Sequence, residues 1–285
     1  VEGLSGGGRL DLPFTPSTSL GLEARIGTGD REPNGTASLR WGPEDRYWTL
    51  AGYHRLTGVG DWTSPFSLTS SLQNLVLGAS IGEFYRATGA SLGYSRTGRA
   101  TRLDLTGFVE RHRTVARTTD FSLAGIVRDP VVREVLAADP AETGGGRGSL
   151  RWYSGQDPRG LILTAQLLAE VATGDATYRR GVATVSASHP LFGGLAGAVE
   201  AGAGALWGDE LAQKSFLLGG PYTLRGFDER AARGSSFWRG RAEVASGFAG
   251  ARVGLFTDAG WAGPRDAFTL DDPLVSVGVG GSLLD

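Results

Sequence analysis

The sequence predicts an all-β fold, an antiparallel up-and-down transmembrane β-barrel of about fourteen strands, and three observations carry that prediction. Glycine is abundant, at 46 of 285 residues, while hydrophobic residues reach only 40%. No run of eighteen apolar residues occurs, so no segment reads as a membrane-spanning helix. Segment after segment alternates apolar and polar side chains with a period of two. An interior glycine costs a helix about 1 kcal/mol relative to alanine, which leaves strands and turns. A strand that crosses lipid needs roughly 9–11 residues, with every second side chain toward hydrocarbon and the rest toward a polar lumen.

In chain order, strands are expected over 1–13, 18–28, 34–42 and 47–56, the second showing Leu20, Leu22, Ala24 and Ile26 against Glu23 and Arg25. The next are 84–96, 100–113 and 118–125. Within 100–113, Leu103, Leu105 and Val109 alternate with Arg102, Asp104, Thr106, Glu110 and His112. Strands 146–155, 158–173, 178–190 and 192–207 follow. Leu161, Leu163, Ala165, Leu167, Ala169 and Val171 make one wholly apolar face opposite Thr164, Gln166 and Glu170. The last are 236–248, 250–262 and 272–284, where Val253, Leu255, Ala259 and Trp261 oppose Arg252 and Asp258, and Val275, Val277 and Val279 alternate with Ser276, Gly278 and Gly280. Strands of a soluble sandwich usually run about 5–6 residues; these are longer.

Short turns such as Ser154-Gly155-Gln156-Asp157 and Thr173-Gly174-Asp175-Ala176 imply that sequential neighbours pair. Residues 57–80 and 126–145 read as loops, the second with a short helix bracketed by Asp129-Pro130 and Asp139-Pro140. Trp41, Trp48, Trp152, Trp207 and Trp261 at strand ends suit an aromatic girdle at the lipid interface.

Composition excludes other classes. The chain has no cysteine, hence no disulfide framework or thiolate metal site, which fits an exported protein. A net charge of −2 and scattered arginines provide no footprint for nucleic acid. His54, His112 and His189 stand singly, without a nucleophile, a base partner or ligand spacing. His112, near Glu110 and Arg113, reads as a polar lumen residue, and His189-Pro190 as a turn. The glycines at 144–146 and at 202, 204 and 208 lack the helix and Lys-Ser/Thr of a phosphate loop. The expectation is a chain that is not an enzyme and holds no metal or cofactor.

The segment Leu218-Gly219-Gly220-Pro221-Tyr222-Thr223-Leu224-Arg225-Gly226-Phe227 resembles the loop-tip motif of the Omp85 superfamily, the outer-membrane assembly and two-partner secretion barrels also called bacterial surface antigen D15 proteins. Phe256-Thr257-Asp258-Ala259-Gly260 is similar to that family's Phe-x-Asp-x-Gly strand motif, and Arg241-Ala242-Glu243 to its acidic strand after the loop. All three occur in family order, and the likeness is strongest over 190–285. It implies a family barrel, normally of sixteen strands, whose long extracellular loop folds into the lumen. There Leu224, Arg225, Gly226 and Phe227 would meet a wall bearing Arg241, Glu243, Phe256, Asp258 and Gly260. An arginine fork can make two parallel bonds to a carboxylate where lysine offers a point charge.

The resemblance further implies insertion or translocation of proteins at the bacterial outer membrane. The implied partners are the lipid bilayer, unfolded clients and periplasmic proteins, and the chain is expected to be a monomer. The competing expectation is a passive channel or structural surface-antigen barrel whose loop plugs the lumen. Residues 1–285 read as a single barrel domain. In the family about two more strands and a terminal aromatic residue follow the segment matching 272–284, and POTRA domains precede the barrel. The expectation is therefore a chain truncated at its C-terminus or a member reduced to its barrel.

Overall fold

The computed structural model describes residues 5–27, 32–60, 83–115, 136–155, 157, 160–246 and 252–282. The strands are β1 (Ser5–Thr15), β2 (Thr18–Gly27), β3 (Pro33–Trp41), β4 (Arg46–Gly58), β5 (Phe84–Thr97), β6 (Thr101–Thr114), β7 (Ala141–Ser154), β8 (Ile162–Gly174), β9 (Tyr178–Pro190) and β10 (Leu195–Gly208). Two short strands, β11 (Phe216–Leu218) and β12 (Ala232–Gly234), precede β13 (Ser236–Ser246), β14 (Arg252–Gly263) and β15 (Leu274–Ser282). Thirteen of them form one antiparallel sheet in the order β1 to β10, β13, β14, β15, while β11 and β12 pair separately. Every neighbour in the large sheet is the next long strand in sequence, so this is an up-and-down wall. Among the described residues no ladder joins β15 to β1.

Register carries the alternation from strand to strand. Leu103, Leu150, Leu167, Ala183 and Ala203 lie side by side across β6 to β10. The outward face is apolar and uncovered: Leu167 is 55% exposed, Leu255 64% and Val277 80%. In water such a continuous band would drive aggregation; against hydrocarbon it is what a barrel requires. Trp41, Trp48 and Trp152 sit at the rim of short turns, and Trp207 and Trp261 at the opposite rim, so aromatics border the band on both sides. Part of the outward face of β8 to β10 carries small side chains, and a groove of about 910 Å³ crosses Ala169, Gly181, Ala183 and Ala205 between Leu167 and Trp207.

The inward face is largely polar, and the β10–β13 connection packs against both charged positions and an apolar patch of it. Arg147, Glu170 and Arg180 are register neighbours on β7, β8 and β9. Near the rim that carries the β8–β9 turn, the inward positions Tyr178, Val182, Leu206 and Phe237 join Phe216, Leu218 and Leu224 of that connection in one buried cluster.

Several expectations change. Thirteen of the fourteen expected strands form the large sheet, and the remaining one, 118–125, lies outside the described residues. Residues 141–145 are not loop but the start of β7, whose ladder with β6 runs from Ala141 to Trp152. Glycines at 144–146 gave that half-strand no apolar alternation to read. Residues 136–140 carry no regular structure, and the rest of the expected helix, like 61–80, falls outside the described residues. His189 and Pro190 end β9 rather than forming a turn.

The two faces should respond oppositely to charge. Leu255→Arg, at the lipid surface, should destabilise the barrel by roughly 2–4 kcal/mol if that position lies near the bilayer midplane. Ser188→Arg, facing inward, should cost far less. Urea titrations of protein refolded in lipid vesicles measure both, and equal losses would mean that the faces are assigned wrongly.

Candidate functional site

Residues 209–235 connect β10 to β13 and fold back along the inner wall. A 3-10 turn over Ala212–Lys214 leads into β11, which pairs with β12 through Phe216 with Gly234, Leu217 with Arg233 and Leu218 with Ala232. Phe216, Leu218 and Leu224 have no exposed surface. Between β11 and β12 the chain turns tightly. The Gly219 N–H donates to Thr223 Oγ1 at 2.7 Å, Thr223 Oγ1 donates to the Gly219 carbonyl at 2.6 Å, and the Gly220 N–H donates to the Phe227 carbonyl at 2.9 Å.

That turn presents Arg225 to the wall. Its Nε donates to Asp258 Oδ2 at 2.9 Å and its Nη2 to Asp258 Oδ1 at 2.7 Å, a parallel two-bond fork. The Arg225 backbone N–H also donates to Asp258 Oδ2, at 2.9 Å. Nη1 bonds Glu243 Oε2. The guanidinium lies over the Phe256 ring, 4.0 Å from its centroid, a cation–π contact. Burial pushes the Arg225 guanidinium down, but its bonds to Asp258 and Glu243 outweigh this and hold it above the ordinary arginine range.

The neighbouring residues shape this contact. Leu224 is wholly buried in the core cluster and Phe227 packs against its edge. Gly226 has φ +84°, in the left-handed region that side chains rarely adopt, and a Cβ there would stand 3.3 Å from Ser276. At Gly260 a Cβ would come within 2.9 Å of the Trp238 carbonyl and 3.2 Å of Leu224, so its missing side chain is the space Leu224 occupies. Arg241 does not pair with Glu243. It donates to the carbonyls of Tyr222 and Pro221, each at 3.2 Å, and approaches Asp258 Oδ1 at 3.6 Å.

The structure thus brings Leu224, Arg225, Gly226, Phe227, Arg241, Glu243, Phe256, Asp258 and Gly260 together on β13, β14 and the loop tip. Two grips escaped the sequence reading. Arg239 Nη1 donates to the Tyr222 carbonyl at 2.7 Å while its Nη2 donates to Glu200 Oε1 at 2.5 Å. Arg239 lies two residues from Arg241 on the same face of β13, but its partner in the loop is a backbone oxygen, which no side-chain motif records. The other grip is a buried set of contacts at the stem of the loop. Its sequence signal is plain once seen: Lys214 is the only lysine in the chain.

No protein-family model and no curated protein sequence matches the chain. Solved structures share its fold. BamA from Haemophilus ducreyi lacking POTRA domains 1–3 aligns with a TM-score of 0.60 at 15% identity, over 94% of this chain and 58% of that one. CdiB from Acinetobacter baumannii aligns with a TM-score of 0.52 at 13% identity, over 94% and 47%. The chain therefore spans about half the length of these two structures. LpxR from Salmonella typhimurium aligns more loosely, with a TM-score of 0.32 at 14% identity over 87% and 86%. With its uncovered apolar face and bordering aromatics, the chain is an outer-membrane β-barrel. The expectation that it is not an enzyme is corrected: the fold shared with these barrels is silent on catalysis, so a barrel of this kind is not thereby a non-enzyme.

Arg225→Ala and Asp258→Ala should each loosen the docked tip by roughly 3–5 kcal/mol, the usual result of removing one half of a buried pair. Arg225→Lys should recover only part of that, because an ammonium cannot make the parallel bonds. Proteinase K digestion of the loop in detergent-solubilised barrel reads all three. A lysine variant as protected as the native chain would sink the fork as the source of the hold.

Proposed function

We propose that this chain is a barrel of the Omp85 type, with residues 1–285 forming one barrel domain, in which the Arg225 loop gates a lumen used to insert or translocate polypeptides at the outer membrane. One observation carries the reading. The Leu-Arg-Gly-Phe tip lies inside the wall with its guanidinium on Asp258 and Glu243, the partners the family resemblance names. A tip that merely capped a turn would have no reason to present a fork to a carboxylate that is only 1% exposed. The shared fold with a BamA and a CdiB, both Omp85 members, supports the same reading.

In this mechanism the wall supplies a lumen, and the loop decides whether the lumen is occupied by the chain itself or by a passenger. Asp258 and Glu243 hold the guanidinium while the loop is docked. Arg239 and Arg241 hold the carbonyls of Pro221 and Tyr222, so the tip is fixed by side chain and main chain together. Displacing the tip exposes three arginines and their carboxylate partners to the lumen, a surface able to bind an extended polar chain. The partners this implies are unfolded clients and periplasmic delivery proteins.

Liposomes containing the purified barrel should speed insertion of an unfolded client barrel over empty liposomes, and Arg225→Ala should change that rate together with the single-channel current. Currents without any effect on client insertion would overturn the reading in favour of a passive pore. Heat-modifiable gel mobility of the reconstituted protein establishes beforehand that each sample is folded.

A further inference from the structure

The stem of the inserted loop is held as firmly as its tip, and by different strands. Lys214 is 5% exposed and its Nζ donates to Glu170 Oε1 at 2.8 Å. Glu170, itself 2% exposed, also accepts from Tyr178 Oη at 2.6 Å and from Arg147 Nε at 2.7 Å. The carboxylate is thus fully engaged, with both oxygens bonded to β7, β9 and the loop. Burial alone pushes the Lys214 ammonium down, but Tyr85, Glu170 and Tyr178 outweigh it and hold the group above the ordinary lysine range. The loop backbone is held too, since Arg180 Nε donates to the Lys214 carbonyl at 3.1 Å.

Next to Lys214, Gln213 is fixed on every side. Its Oε1 accepts from the Asp139 N–H at 2.9 Å, and its Nε2 donates to the Asp139 carbonyl at 2.9 Å. The same amide nitrogen lies 3.2 Å from His112 Nδ1. The Asp139 backbone dictates the amide orientation, so His112 Nδ1 accepts, and its Nε2 faces Glu110 Oε2 at 3.1 Å. Asp139 Oδ2 accepts from the Ala212 N–H at 2.7 Å. None of these partners lies on β13 or β14, which hold the tip.

We propose that Lys214 and Gln213 are positioning residues of a second anchor, independent of Arg225, which ties the loop to β6–β9 while the tip is tied to β13 and β14. The loop is then a brace across the lumen rather than a plug hung from one point. Release of the tip leaves a flap tethered at its stem, and clearing the lumen requires both anchors to open. The inference concerns how the loop is held and does not depend on what passes, so its test contains no client.

The chain supplies its own reporter. Because Lys214 is the sole lysine, an amine-reactive ester modifies only that side chain and the N-terminal amine. Trypsin cleavage after Arg225 reads the tip on the same sample. In folded, heat-modifiable barrel we expect the N-terminus to be labelled, Lys214 to be spared and Arg225 to be uncut. Asp258→Ala should admit cleavage at Arg225 while Lys214 stays protected. Glu170→Gln should raise labelling of Lys214 by roughly tenfold or more while Arg225 stays uncut. Should Glu170→Gln fail to give a heat-modifiable barrel, Gln213→Ala weakens the same anchor from the loop side, with the same pattern expected. Labelling of Lys214 in Asp258→Ala as fast as in denatured protein would overturn the proposal, since the loop would then open as one unit. Continued protection of Lys214 when the stem contacts are cut would overturn it equally.

Discussion

The pairing of Arg225 with Asp258 constrains wall and loop together. A carboxylate with almost no exposed surface cannot remain charged without partners, and removing one side of such a pair costs several kcal/mol. Asp258 makes its hydrogen bonds with the docked tip, Arg241 of the wall standing 3.6 Å away, and the tip turns through the bonds of Gly219 with Thr223 and of Gly220 with Phe227. Around that pair, Arg225, Arg239 and Arg241 face Asp258, Glu243 and Glu200. Arg241 and Arg239 share one carbonyl, that of Tyr222, so their mutual repulsion is relieved by the loop backbone as well as by acids. The docked loop is part of what makes this stretch of wall electrostatically tolerable.

The same loop explains where the lumen stops being polar. A barrel that spans lipid sends its polar residues inward, yet Val182, Leu206 and Phe237 point inward and are buried. They do so only opposite Phe216, Leu218 and Leu224, which make the loop a small apolar core within a polar cavity. Phe216 and Phe237 meet as tilted rings, 4.6 Å between centroids, and Arg180 lies over the Phe216 ring at 4.6 Å, where core gives way to charge.

Much of the wall was legible because burial by lipid leaves a strict period of two. β6, β8 and β14 show it over most of their length, Phe108, Leu168 and Phe256 being inward exceptions that pack within the lumen, and their register follows once neighbours pair in sequence order. Legibility failed where that pressure is absent. The first half of β7 carries three consecutive glycines, and β11 and β12 are three residues each, too short for any period. The tip contacts were legible as a motif because one side chain, Arg225, carries most of them. The stem contacts were not, since Gln213 meets His112 across 101 positions of sequence and Lys214 meets Glu170 across 44. Only the curl of the sheet brings those strands to one place. His112, read correctly as facing the lumen, gave no hint that an amide from the loop would cover it.

The small outward side chains of β8 to β10 bear on the membrane rather than the protein. Where Ala169, Gly181, Ala183 and Ala205 face hydrocarbon, acyl chains come almost to the backbone, whereas Val275, Val277 and Val279 on β15 stand well proud of it. The annulus of lipid around this wall is therefore uneven in depth: ordered chains can settle into the relief on one side and must part around ridges on the other. Any partner that approaches in the plane of the membrane meets a bilayer whose packing differs by sector, and the sector with the ridges is the one next to Asp258.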